Sequence, residues 1–450
     1  MASTYLERAA SGSVTSDKIL TISTWLKKGV NGERQRWFNH ENASSHTQKL
    51  DLHFETGDQF RMGWWDGSNE YNLDTTRKFR DLNAWYHFVF RLDTTQSTAS
   101  DRVRLYVNGE LQTLTAIGGG SPTYPAQNGT MNLGQKKLVY GRYQAASPSS
   151  YWKGSMSHSH YCDGYSYAPT EFGETDSTTG EWKIKTNVSV NYGTNGHFIL
   201  KDGNSVTDQS GNSNNFTVAG GTFTNTEDNP SNVFATINPL NVPTSNAPTF
   251  ANGNTTSTTP GSSGRFGGTS TLGMSAGKYY WEAKYVISGL PRGEFGVTYD
   301  PSEQARNNAT ASNYADAWCY QSEGGSIRNN NSNLDTEATY ANGDIVMCAL
   351  DLTNNKIYFG KNGTWVNSGD PTSGSTGTGA YSVTADKTYF TITSDNTSGS
   401  DQQTYQFNFG NGYFGTTAIS SEGTNASGIG KFEYDVPTGY TALSTKGLNE

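Results

Sequence analysis

The sequence predicts an all-β protein of two β-sandwich (jelly-roll) domains joined by an irregular connector. Short runs of alternating apolar and polar side chains are punctuated by Gly, Asn and Asp turns, and a period of two is that of a strand. No long apolar stripe recurs every 3.6 residues, so helices are expected to be few and short. Composition agrees. A chain with 33% hydrophobic residues, 12% aromatics and 51 glycines suits short strands and long polar loops, and is too aromatic for disorder. At 450 residues it can hold two domains, placed at 1–186 and 271–450, with a connector and linker over 187–270 that packs partly on both.

In the first domain, Ile19–Gly29 reads as a strand with Trp25 near its end. Leu50–Trp65 reads as a hairpin turning at Thr56-Gly57-Asp58. Along Ala84–Thr95, Tyr86, Phe88, Phe90 and Leu92 share one face, and His87, Val89 and Arg91 the other. Arg102–Leu114 follows, with Val103, Leu105 and Val107 toward the core and a type I′ turn at Asn108-Gly109. The closing strand falls in Ser150–Gly164, with Met156, His158 and His160 on one face and Ser155, Ser157 and Ser159 on the other. Residues 241–270 are rich in Pro, Ser, Thr, Gly and Asn, as loops are. In the second domain, Gly277–Val286 alternates Tyr279, Trp281, Ala283 and Tyr285 against Tyr280, Glu282, Lys284 and Val286. Gly293–Asp300 and Thr404–Phe414 are further strands. Gly343–Gly363 is a hairpin turning at Asn354-Asn355, and its first strand is apolar on both faces, which places it inside a sandwich.

Two family resemblances rest on these residues. Trp85-Tyr86-His87 and, in the next strand, Leu105-Tyr106-Val107-Asn108-Gly109 resemble laminin-G-like jelly rolls of the concanavalin-lectin class. The Gly343–Gly363 hairpin resembles the central hairpin of SPRY domains, which are binding sandwiches. Between them, Tyr167–Thr186, Tyr192–Gly220 and Asp228–Leu240 resemble the connector of a two-module protein family of tailed bacteriophages. That resemblance spans nearly the entire chain and implies a virion protein.

Charge and cysteines narrow the function. The net charge of −9 divides into −2 over 1–240 and −7 over 241–450, with no basic run, which argues against nucleic acid and anionic membranes as partners. Cys162, Cys319 and Cys348 set up no disulfide framework. The N-terminus MASTYLERAA has no apolar signal core, so synthesis in a host cytoplasm and residence in the virion are expected.

Candidate ligand contacts are aromatic. Trp64, Trp65, Asp66 and Asn69 end a hairpin and combine rings that could stack on a sugar with polar groups that could bond it, or else one Trp plugs the sandwich and the other covers its rim. In the second domain, loops carrying Tyr314, Trp318, Tyr320 and Arg328 are candidate contacts at an interface, or else Trp318 and Tyr320 are core residues of a short strand. Asp202, Asn204 and Asp208 offer oxygens that suit calcium, or else bond their own loop. His158, His160 and Cys162 share a parity that could ligate zinc, or else are strand residues. For glycoside cleavage, a Glu-x-Asp-x-x-Glu pattern is absent, Glu55 and Asp58 straddle a turn, and Asp74 and Asp81 fall in separate loops.

These readings converge on a non-catalytic virion protein, a capsid decoration or a tail fibre or spike module. It would dock to other virion proteins in many copies and display its sandwiches to host-surface glycan or protein. The alternatives are a glycan-cleaving enzyme of the concanavalin class and a cellular adhesion or scaffold module.

Overall fold

The structure is a computed structural model that describes residues 3–9, 13–41, 48–131, 133, 134, 136–143, 149–201, 205–261, 265–302, 309–396 and 400–450. Its ordered elements are strands, apart from short helical turns. They form two compact units, Met1–Asn225 and Thr226–Glu450.

The first unit is a sandwich of an eight-stranded and a six-stranded antiparallel sheet. The eight-stranded sheet runs, in spatial order, Leu114–Ala116, Glu70–Lys78, Gln59–Trp65, Gln48–Phe54, Gln35–Glu41, Lys137–Tyr140, Tyr5–Arg8 and Thr217–Gly220. The six-stranded sheet runs His197–Ile199, Gly154–Asp163, Ile19–Lys28, Tyr86–Asp93, Val103–Val107 and Glu110–Leu111. Phe88, Phe90 and Leu92, with Val103, Leu105 and Val107, share one core with Leu50, Leu52 and Phe54, as the alternation predicts. Burying each such side chain contributes about 1.5–3 kcal/mol. The turn at Asn108-Gly109 has φ of 50° and 82°, as a type I′ turn requires.

The six-stranded sheet is covered on its other face as well. Val89, Cys162 and Phe172 form a second cluster, with Tyr165, Tyr167, Val188, Val190 and Tyr192 packed against it. Trp182 Nε1 donates to His87 Nδ1 at 3.0 Å, and His87 Nε2 lies 2.8 Å from Ser23 Oγ. The proton of the neutral ring therefore sits on Nε2. The stretch expected as a connector is shared between the units. His197–Ile199 and Thr217–Gly220 complete the sheets of the first, while Thr249–Ala251 and Thr256–Thr258 join a sheet of the second.

The face assignment of the closing strand needs correction. A bulge lies between Ser157 and His160, and His158 has φ of 48°. The extra residue reverses parity. Met156 packs toward the core and Ser159 bonds the core hydroxyl of Tyr140, while His160 stacks on Phe198 at 3.9 Å, and Cys162 joins the outer cluster.

The second unit pairs two sheets. One runs Thr249–Ala251, Thr256–Thr258, Gln402–Asn408, Lys278–Ser288, Ile345–Asp351, Lys356–Lys361 and Thr364–Trp365. The other runs Phe266–Thr269, Phe390–Asp395, Gly293–Thr298, Ala317–Gln321, Ser326–Asn329 and Ser332–Thr336. Ile345–Asp351 is buried throughout, as its two apolar faces predict. Val346, Cys348 and Leu350 enter the intersheet core, and Met347 and Ala349 lie under Phe432 and Tyr440. Glu282 fastens this outer cover, accepting from the backbone N–H groups of Glu433 (3.0 Å) and Tyr434 (2.8 Å).

Candidate functional site

An open cleft of about 510 Å³ lies on the outer face of the eight-stranded sheet. Strand alternation builds its floor. Leu50, Leu52 and Phe54 point into the core, so Asp51, His53 and Glu55 point outward. Phe60, Met62 and Trp64 likewise turn inward and leave Arg61, Gly63 and Trp65 on the cleft side. Register then sets the neighbours. Arg36 and Arg61 both stand opposite His53, and Arg61 also stands opposite Asp74.

These side chains form a connected charge network. Arg36 Nε donates to Asp51 at 2.9 Å. His53 Nδ1 lies 2.9 Å from Asp51 Oδ2, an ion pair rather than an aligned hydrogen bond, and His53 Nε2 meets Glu55 Oε1 at 3.0 Å. Arg34 Nη2 reaches Glu55 Oε2 at 2.9 Å. Arg61 saturates itself, with Nη1 on Glu55 at 2.6 Å and Nε and Nη2 on Asp74 at 2.6 and 2.8 Å. Asp51, His53, Glu55 and Asp74 are all buried.

For Asp51, His53 and Glu55 burial works against the charged form, and the neighbours overcome it. Burial opposes ionisation of Asp51, yet His53 and Arg36 hold its carboxyl below the usual range. Burial opposes that of Glu55 too, and bonds from His53 and Arg34 pull it down to about 2. Burial disfavours the His53 cation, but Asp51 and Glu55 raise its pKa above the ordinary 6.5. Asp51, His53 and Glu55 thus form a row of charge-paired groups along the floor. Its rim carries two aromatic rings, the half-buried Trp65 and Tyr143, and the Arg36 guanidinium lies 4.0 Å over the Tyr143 ring.

The residues singled out from sequence separate. Trp65 lines the cleft. Trp64 does not stack on solvent-side ligands, because it is 4% exposed in the core, parallel to Tyr71 with ring centroids 5.2 Å apart. Asp66 closes its own turn, accepting from the backbone of Ser68 and Asn69 at 2.7 Å each, and Asn69 also turns its amide toward it. Trp318 and Tyr320 are not loop anchors. They lie on Ala317–Gln321, which pairs with Gly293–Thr298, and both are buried in the intersheet core. Tyr314 is half-buried, and Arg328 bonds Asn331. Asp202 and Asn204 lie outside the described residues. The Asp208 carboxylate accepts from Phe198 N, Ser210 N, Ser210 Oγ and Asn214 N, the self-bonded loop that the sequence offers as the other reading. Among the described residues, no cluster of three His, Cys, Asp or Glu side chains is placed to hold a metal ion.

Asp74 also needs correction, since it lies on the strand Glu70–Lys78 rather than in a loop. Arg36, Asp51, His53 and Arg61 went unnoticed in the sequence. Their signal is Asp51-x-His53-x-Glu55, three ionisable groups on one face of an otherwise apolar strand.

Two family models match separate segments of the chain. Residues 2–163 match the laminin-G model of the concanavalin A-like lectin/glucanases superfamily, and residues 278–412 match the SPRY domain. The chain carries a concanavalin-like domain and an SPRY domain. Sandwiches of these two kinds point to a binding or recognition module. Solved structures similar to parts of the chain include the SPRY domain of human HERC1, at 20% identity over 34% of this chain and 86% of that one, TM-score 0.28. A heptameric SAP-like pentraxin from Limulus polyphemus matches at 14% identity over 36% and 70%, TM-score 0.25. The TRIM65 PSpry domain matches at 13% over 38% and 91%, TM-score 0.29. The cleft belongs to the concanavalin-like domain, and its floor strands fall inside the matched segment.

Proposed function

We propose that the chain is a non-catalytic recognition protein of a tailed-phage particle, carried on capsid or tail, whose concanavalin-like domain binds host-surface glycan in the outer-face cleft. The observation that carries the glycan reading is the cleft itself, an ionised polar floor flanked by aromatic rings. Sugars present apolar ring faces and a fringe of hydroxyls, and such a surface matches both. The phage reading is supported by the order of segments, jelly roll, connector and SPRY-like sandwich. Many copies per particle would multiply a weak single contact.

Cleavage is the reading weighed against this, because Asp51 and Glu55 share one strand face. Glycoside hydrolysis requires one carboxyl to stay protonated as general acid. Asp51 and Glu55 are held the other way, below their ordinary values. That favours binding over bond breaking.

The test is competition for adsorption. The purified chain should block attachment of the source phage to its host, and Trp65→Ala should abolish the block without lowering thermal stability. A folded Trp65→Ala chain that blocks as well as the parent rejects the cleft. Release of reducing ends from host polysaccharide, lost on Glu55→Gln, would establish the enzyme instead. Cryo-electron microscopy of the particle locates the chain on capsid or tail, and its absence from the particle rejects the virion reading.

A further inference from the structure

The cleft's hydrogen-bonding capacity is lopsided. Glu55 and Asp74 accept from Arg34, His53 and Arg61, and Arg61 has all three of its nitrogens engaged. Arg36 differs. Only its Nε is engaged, on Asp51, and its two Nη groups have no partner among the described residues although the side chain is 10% exposed. Asp51 from one edge and the Tyr143 ring from one face fix the guanidinium plane. A buried fork, held by Asp51 and Tyr143, whose two terminal NH2 groups are unspent among the described residues fits a planar bidentate acceptor. Arg34, with a side chain 46% exposed, has Nε and Nη2 on Glu55 and Nη1 left over.

The floor beside this fork is bare. Asp51, which holds Arg36, stands opposite Gly63, and Gly63 presents no side chain to the cleft. A Cβ there would come within 2.8 Å of Asn72 Oδ1, so the sheet accommodates only glycine without moving Asn72. Trp65 is two residues further along the same strand, on the same face. Glu70 stands opposite it and, bonded to Asn72, makes that end acidic. The cleft therefore has a cationic end at Arg34 and Arg36, an open floor at Gly63, and an aromatic end at Trp65.

We infer that the cleft selects acidic glycans, with a sugar carboxylate seated on the Arg36 fork and a neighbouring ring lying over Gly63 against Trp65. This deepens, and rests on, the glycan reading above. The net charge of the chain, −9, gives no long-range attraction for a polyanion. Selectivity must come from the fork at contact.

The experiment is calorimetric titration of the full chain with polygalacturonate, alginate, hyaluronate and polysialic acid, each beside its carboxyl-reduced neutral form, with dextran sulfate as a non-carboxylate polyanion. At least one carboxylated polymer should bind, at least about tenfold tighter than its reduced form and than dextran sulfate. Arg36→Lys keeps the charge but removes the fork and should lose about tenfold. Arg34→Gln, at a half-exposed position, should lose severalfold and serves as the second variant should Arg36→Lys misfold. Equal binding of native and reduced polymers overturns acid selectivity while leaving glycan recognition standing. Equal binding of dextran sulfate overturns it too. No binding of any polymer, acidic or neutral, overturns both readings.

Discussion

His53 is the residue on which the cleft floor turns, because it is the one cation there that can lose its charge near neutral pH. Its pKa in the folded chain is raised above 6.5 by Asp51 and Glu55 against the opposing effect of burial. Its contribution to stability is therefore full below about pH 6.5 and is lost as pH rises through the folded value. Asp51 and Glu55 run the other way, contributing above their ordinary values and losing that contribution as pH falls through the lowered ones, about 2 for Glu55. Imidazole titration by NMR should give His53 a pKa above 6.5, and a value below it would contradict the paired geometry. Arg61→Met should cost about 3 kcal/mol in chemical denaturation, since it strands the buried Asp74 and part of Glu55. A loss under about 1 kcal/mol would place the network in solvent. At this scale the sequence was half legible. Alternation puts Trp64 and Trp65 on opposite faces, so that one ring can plug the sandwich while the other covers its rim, but it does not say which ring is which. The pairing of Arg61 with Asp74 depends on cross-strand register, which no local pattern states.

The elements that flank the cleft domain's core depend on a few close fits. Gly109 has φ of 82°, and a Cβ there would come 2.7 Å from the Trp182 ring that bonds His87. Gly109→Ala should therefore both strain the turn and displace Trp182, costing about 1–3 kcal/mol and dequenching or shifting tryptophan fluorescence. In the SPRY domain, Glu282→Ala removes the acceptor of two backbone amides. Hydrogen exchange at Glu433 and Tyr434 should accelerate, with exchange at Ile345–Asp351 affected less. Unchanged exchange at those two amides would mean the cover holds without Glu282. Most strands were legible, because residues such as Phe88, Phe90 and Leu92 alternate without interruption. The strand carrying His158 and His160 was legible as a strand, but its faces were not, because a bulge leaves no mark in the alternation it breaks. Ala317–Gln321 could be read as loop or as a short core strand, since Trp318 and Tyr320 look like anchors wherever Gly, Asn and Ser surround them.

All seven histidines of the chain lie in the first unit, which gives the two units opposite responses to acid. Burial holds His40 and His87 down at about 3 and holds His160 and His197 well below the ordinary value. Groups with depressed histidine pKa values contribute above about pH 6.5 and lose that contribution as pH falls. Burial raises Glu282, in the second unit, to about 7, so its contribution is full below 4.5 and lost as pH climbs through 7. Glu41, raised to about 7, and His53, raised above 6.5, run the other way in the first unit, but they are two groups against four histidines. Between pH 7.5 and 5.5 the denaturation midpoint of the first unit should fall while that of the second holds or rises, with hydrogen exchange assigning each transition. Parallel shifts would contradict the buried states of these groups. The two-sandwich plan was legible from turn signals and strand pairs, whereas the charged cleft was not, since outward polar positions on a strand ordinarily mean solvent. On the proposed function, this cleft is where the protein meets its ligand. The most direct measurement is hydrogen–deuterium exchange of the full chain with and without the tightest-binding polysaccharide. Protection concentrated in Gln48–Phe54, Gln59–Trp65 and Glu70–Lys78 is the predicted result. Protection confined to the SPRY domain, with those three strands unchanged, would contradict it.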